Sequence, residues 1–128
     1  MSVSNYLETK VMDALFNNVS PAAIQLANRY LKLHTGDPGE DGTANAATET
    51  TRKSVTSAAS ANGVFTSTND LTWTNVAASE TYSHASVWDA AGPAGGNCLW
   101  TGALTASKAV NAGDTFTISA GSLTVTLD

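Results

Sequence analysis

Charge is what this chain has least of: 13% of its 128 residues are Asp, Glu, Lys or Arg, and the balance is acidic, at −5. The six basic residues, Lys10, Arg29, Lys32, Arg52, Lys53 and Lys108, are scattered along the chain. Binding to phosphate backbones needs Lys and Arg gathered on one face, so nucleic acid is not an expected partner. Cysteine is nearly absent too. With Cys98 alone no intramolecular disulfide can form, and the residue reads as a small buried hydrophobe because no nearby charge would activate it. No apolar run approaches the length of a membrane span. The opening, Met1 to Tyr6, has neither the basic start nor the apolar centre of a signal peptide. A soluble protein made in the cytoplasm, with no membrane partner, is the expectation. A chain of this length buries roughly two-thirds of its unfolded surface, so one domain can form without metal or disulfide.

Signatures of chemistry are missing as well. There is no Gly-x-Ser-x-Gly elbow to activate a serine. Ser86, His84 and Asp89 are close in sequence, but in a strand Asp89 points away from the other two. The acidic group Asp37, Glu40 and Asp41 lacks the spacing of a calcium loop, and Gly36-Asp37-Pro38-Gly39 is better read as a turn. Gly92 to Gly96 lacks the Lys-Ser/Thr of a phosphate loop. No His and Cys stand at metal-ligand spacing. No catalytic residue, cofactor or metal is therefore expected. Trp73, Trp88 and Trp100 would stack on sugars if exposed, but each lies in a predicted strand among apolar neighbours, which favours core packing.

What the chain does have is Ala, Thr, Ser and Gly in abundance, a bias that favours strands over helices. The N-terminal segment is the exception. Val3, Tyr6, Leu7, Val11, Ala14 and Leu15 recur at three- and four-residue spacing and draw one apolar stripe along a helix over about residues 4–16. Asn5 with Glu8 resembles a capping box, with Ser2 and Ser4 as equal alternatives for the cap, and Asn17-Asn18 before Pro21 gives the stop. Such a helix either covers one end of the domain or docks on a neighbouring subunit. Beyond it the period falls to two. Strands are expected at Arg29–Thr35, Thr51–Ala58, Val64–Thr66, Leu71–Val76, Tyr82–Trp88, Cys98–Leu104, Thr115–Ile118 and Leu123–Leu127. Asn62-Gly63 makes a tight turn. On the Tyr82–Trp88 strand, Tyr82, His84, Ser86 and Trp88 share one face and Ala85 and Val87 the other, which marks it as central. Residues 36–51, with almost nothing large, read as a long exposed loop of the kind that is functional or mobile. The fold class is mainly β: an antiparallel sandwich or jelly roll of about seven or eight strands, with a helical arm over 1–20 and the sandwich over 21–128.

Several stretches resemble a widespread family of small bacteriophage virion structural proteins. They are Ser4-Asn5-Tyr6-Leu7-Glu8, Leu31-x-Leu33-His34-Thr35-Gly36-Asp37-Pro38-Gly39, Val87-Trp88-Asp89-Ala90-Ala91, Leu99-Trp100-x-Gly102-x-Leu104, Lys108 to Phe116, and Ala120 to Val125. They span nearly the whole chain in order. The chain departs from the family before Arg52, where Ala46 to Thr51 replaces a Gly-rich stretch. Members are labelled tail-fibre-like, minor structural or head-decoration proteins, and the family has no catalytic residues to carry over. The resemblance implies first a head-decoration (cement) protein. Such a protein would sit on the outside of the shell as a homotrimer, with the major capsid protein and its own copies as partners, and bridge capsid subunits. The alternative is a tail- or fibre-associated protein, with host-receptor binding as a further role. The helix and the 36–51 loop are the expected contact elements, through Tyr6, Leu7, Val11, Asp37, Pro38, Glu40 and Asp41.

Overall fold

A computed structural model describes residues 2–126. Their elements are nine strands, one α-helix and one 3-10 turn. Five strands form one antiparallel sheet in the order β1 (Ser2–Val3), β7 (Cys98–Val110), β6 (Glu80–Trp88), β2 (Arg29–His34), β3 (Lys53–Val55). The other four form two antiparallel pairs, β4 (Val64–Thr66) with β9 (Thr124–Thr126) and β5 (Leu71–Trp73) with β8 (Phe116–Ile118). The two pairs run on from each other as one ribbon, broken where residues 67–70 face 119–123. Ser67 bridges the break: its N–H donates to Leu123 O at 3.0 Å and its carbonyl accepts from Gly121 N–H at 2.8 Å. The last two strands therefore pair with β5 and β4 and not with each other. Leu127, expected in the final strand, lies outside the described residues.

One core joins the two layers. Leu31 and Leu33 of β2, Val55 of β3, Ala85 and Val87 of β6 and Trp100 of β7 meet Leu71, Trp73, Phe116 and Val125 of the ribbon. The alternation that produces this is plain in the ribbon, where Thr124, Val125 and Thr126 run exposed, buried, exposed. Period-two patterning of this kind defines a sheet with one dry face. At the Asn62-Gly63 turn, φ values of 52° and 74° are those a type I′ hairpin requires.

β6 is central, between β7 and β2. Its faces differ from the sequence expectation. The register shifts between Tyr82↔Lys108 and His84↔Ala103, so Ser83 alone faces residues 104–107. The bulge turns Tyr82 to the core side, where its ring lies 5.1 Å from that of Phe116, while His84, Ser86 and Trp88 keep the other face. A bulge depends on the partner strand, and nothing local to β6 announces it.

The helix α1 spans Asn5–Phe16. Ser4 caps it by accepting the Leu7 N–H at 3.2 Å, and the Ser4 hydroxyl also donates to Cys98 O. Asn17 closes the helix, and Asn18 follows with a φ of 54°. The preceding strand β1 pairs with Trp100 and Thr101 of β7. The helix is thereby tied to one edge of the large sheet.

Candidate functional site

Residues 36–51 are not a free loop. Pro38, Gly42, Ala47 and Glu49 are buried, and the segment lies across the face of the large sheet that the ribbon leaves open. Most of its residues are exposed, as the sequence implies, but the buried ones hold its backbone against that sheet. A Cβ on Gly42 would stand 2.6 Å from Cys98 Sγ and 3.0 Å from Trp88 Cζ2. The carboxylates fasten its far end. Glu80 accepts the Thr48 and Glu49 N–H groups at 3.0 and 3.1 Å, and buried Glu49 accepts those of Thr51 and Ala77 at 3.2 Å each.

Beneath this segment lies a closed polar chain. His34, with no exposed surface, places Nδ1 2.9 Å from Ala44 O and Nε2 2.7 Å from Ser86 Oγ. A carbonyl only accepts, so Nδ1 carries the proton and Nε2 accepts the Ser86 hydroxyl. Ser86 in turn accepts the Trp88 indole N–H at 2.7 Å. Burial, the largest cause, lowers the pKa of His34, and the Lys32 charge lowers it further. The serine–histidine pair is thus Ser86 with His34. His84, which the sequence places nearest, bonds Ser83 instead at 2.8 Å. Asp89 holds both nitrogens of Asn97 at 2.6 and 2.9 Å. Cys98 is 5% exposed, and burial pushes its thiol up to about 11, so it is an unreactive packing group at neutral pH.

Arg52 locks the loop between β6 and β7. Its Nη1 donates to Ala90 O at 2.9 Å and Gly95 O at 3.0 Å, and its guanidinium lies 4.2 Å from the Trp88 ring centre. Trp73, Trp88 and Trp100 are all buried, as is Tyr82. They form no exposed platform for a sugar. Among the described residues no group of three or more His, Cys, Asp or Glu could hold a metal ion, and no helix is long and apolar enough to cross a membrane.

The expected contact residues divide. Tyr6, half-buried with the Lys10 ammonium 5.7 Å from its ring centre, shares a cleft of about 220 Å³ with exposed Asp41. Leu7 is half-buried and lines a separate apolar groove, while Val11 is half-buried along α1. Asp37 and Glu40 are exposed, and Asp37 Oδ1 accepts the Gly39 N–H at 2.9 Å. Pro38 is buried within the chain and presents no surface.

The most accessible apolar surface was missed. Met12, Leu15, Phe16 and Val19 are 54%, 69%, 75% and 47% exposed, and Leu15 points away from the stripe to which its spacing assigned it. The sequence held the signal for three of them: 12, 15 and 16 are i, i+3 and i+4 on a helix, a second apolar face turned outward, while Val19 lies beyond the helix end. A short way off, Leu7, Ile24, Leu26, Arg29, Phe65, Val87, Leu99, Trp100 and Val125 line an open groove of about 190 Å³. Arg29 Nε and Trp100 Nε1 are buried there without an acceptor.

The described residues form an antiparallel β-sandwich with an exposed apolar helix end. Residues 2–126 match the family model described as podophage GP4 fiber I protein gp80. The chain belongs to this family of phage virion structural proteins. No curated protein matches it.

Proposed function

We propose that the chain is a fibre-associated structural module of a podophage particle, which holds its place by docking the exposed end of α1 on neighbouring subunits. The family match over nearly the whole chain carries this reading. It favours the fibre over the head shell, and so supports the alternative drawn from sequence better than the cement role. The surface agrees with a docking function. Exposed apolar patches often mark interaction sites, and Met12, Leu15 and Phe16 in the second half of α1, with Val19 just beyond it, carry the large exposed apolar side chains. Receptor binding through stacked tryptophans finds no support, because all three are buried.

Cryo-EM of intact virions tests the location. Density for this sandwich confined to tail fibres is the expected result. Copies spread over junctions of the shell would overturn the reading and restore shell decoration.

A further inference from the structure

We propose that this chain associates head to tail with itself, the Phe16 ring of one copy seating in the groove lined by Leu7, Ile24, Leu26, Phe65, Trp100 and Val125 of the next. The idea rests on the reading above only in treating the chain as a unit of an assembly, and it holds wherever in the particle that assembly sits.

Size argues for it first. A dry apolar cavity of about 150 Å³ holds a benzene molecule, and the groove offers about 190 Å³. Phe16, at 75% exposure, is the one aromatic residue among those described that is fully in solvent, the others being buried or half-buried. It cannot fill its own groove. Phe16 lies nine residues along α1 from Leu7, which on a helix of 3.6 residues per turn sets the two on opposite faces, and Leu7 lines the groove.

Charge argues in the same direction. Phe16 ends α1, where the helix dipole is negative, and no basic residue stands in the last turn to offset it. The groove carries Arg29, whose guanidinium donates to Leu26 O at 3.3 Å and has no carboxylate partner among the described residues. Seating Phe16 would bring the negative helix end towards that cation.

Exposure argues third. Met12, Leu15, Phe16 and Val19 are each about half exposed or more, and the core of an interface is where such apolar side chains leave water. Knob and groove are different surfaces, so the contact is heterologous. Each copy can use both, and the chain of contacts closes into a ring or continues as a filament.

Sedimentation velocity on the purified full chain, up to about 100 μM, where contacts of micromolar Kd are saturated, should show species heavier than the monomer. Phe16→Ser should weaken association about a hundredfold, as loss of a buried aromatic anchor does. Ile24→Trp, which fills the groove from its rim, should do the same, with near-ultraviolet circular dichroism confirming the fold. The decisive sample mixes the two variants. One keeps its groove and the other its Phe16, so they should form a one-to-one pair and nothing larger. A monomeric wild type, an undiminished Phe16→Ser oligomer or an inert mixture would each overturn the proposal. A self-associating chain found on the shell would instead overturn the fibre reading alone.

Discussion

Ser86→Ala tests whether the buried polar chain holds the sandwich and its covering segment together. The Ser86 oxygen stands 2.7 Å from both Trp88 Nε1 and His34 Nε2. Removing it leaves an indole N–H and an imidazole nitrogen unpaired at sites 6% and 0% exposed. Each such group costs about 1–3 kcal/mol when buried alone, and His34 has no surface open to solvent. Partial relaxation puts the total near 3 kcal/mol, a large share of the ~5–15 kcal/mol typical of a domain. With a urea m-value of about 1.5 kcal/mol/M for a chain of this size, the midpoint should fall by about 2 M. The melting temperature should drop by about 12 °C. Equilibrium urea unfolding, followed by tryptophan fluorescence and far-ultraviolet circular dichroism together, measures the change at constant m. Ser83→Ala is the matched comparison: it also removes a hydroxyl bonded to a histidine, at 2.8 Å, but at a half-buried site where water can take its place. It should cost under about 1 kcal/mol. A Ser86→Ala midpoint within about 0.3 M of wild type, or equal effects of the two substitutions, would refute the claim that this hydroxyl is the hub.

Three further outcomes follow from the same region. Because burial lowers the His34 pKa below its ordinary 6.5, the folded state binds fewer protons than the unfolded one. That stability is complete above pH 6.5 and is lost as pH falls through 6.5 towards the lowered folded value, at up to about 1.4 kcal/mol per pH unit. Unfolding free energies between pH 7.5 and 5 should show this slope, and a flat profile would contradict it. Gly42→Ala combines a φ of 69° with a 2.6 Å approach to Cys98 Sγ and should cost about 2–4 kcal/mol. Adding Cys98→Ala should return part of that loss, and strict additivity in thermal melts would mean the two do not touch. Arg52→Gln removes the donor to Ala90 O and Gly95 O and the cation over Trp88. Hydrogen exchange at the amides of residues 89–97 should quicken by about tenfold or more, and unchanged exchange would show that Arg52 is not what orders the loop.

Where structure is written locally, the sequence was legible. The helix expected near residues 4–16 is found at Asn5–Phe16, since its caps and stop are encoded within a few residues of its ends. The strands around Leu31, Phe65, Phe116 and Val125 follow from simple alternation. What was not legible depends on distant partners. The reversal of Tyr82 comes from a register shift against β7, and the partner of Ser86 is 52 residues away. The 36–51 segment is largely exposed, as expected, but its anchoring on the sheet was not legible. Its poverty in large side chains gives both the exposure and the one close approach, where a backbone lying against Trp88 and Cys98 tolerates nothing larger than Gly42. Among the expected contact residues, charge alone predicted exposure correctly for Asp37, Glu40 and Asp41, while Pro38 was drawn inside with its turn.

The helix end differs from the usual picture of a flexible arm, and the difference bears on how the chain would assemble. α1 is capped by Ser4 and Asn17, its leading residues pair with β7, and Tyr6 and Leu7 pack on the sandwich. None of these ties involves Met12, Leu15, Phe16 or Val19. The exposed apolar face is therefore held in place by the fold itself, and any partner docking there would meet it already formed. A segment that folds on binding loses part of its contact energy, about 2–5 kcal/mol, to its own ordering. A preformed knob loses only side-chain freedom, about 0.5–1.5 kcal/mol for each residue immobilised. A patch of four apolar side chains can then support reversible assembly despite a net charge of −5 on every copy, because the repulsion is spread over a surface with few charges and is screened beyond about 8 Å in physiological salt. Association at this end should accordingly weaken only modestly with salt, through the helix end and Arg29 alone, whereas contacts made through Asp37, Glu40 and Asp41 should weaken more steeply as ionic strength rises.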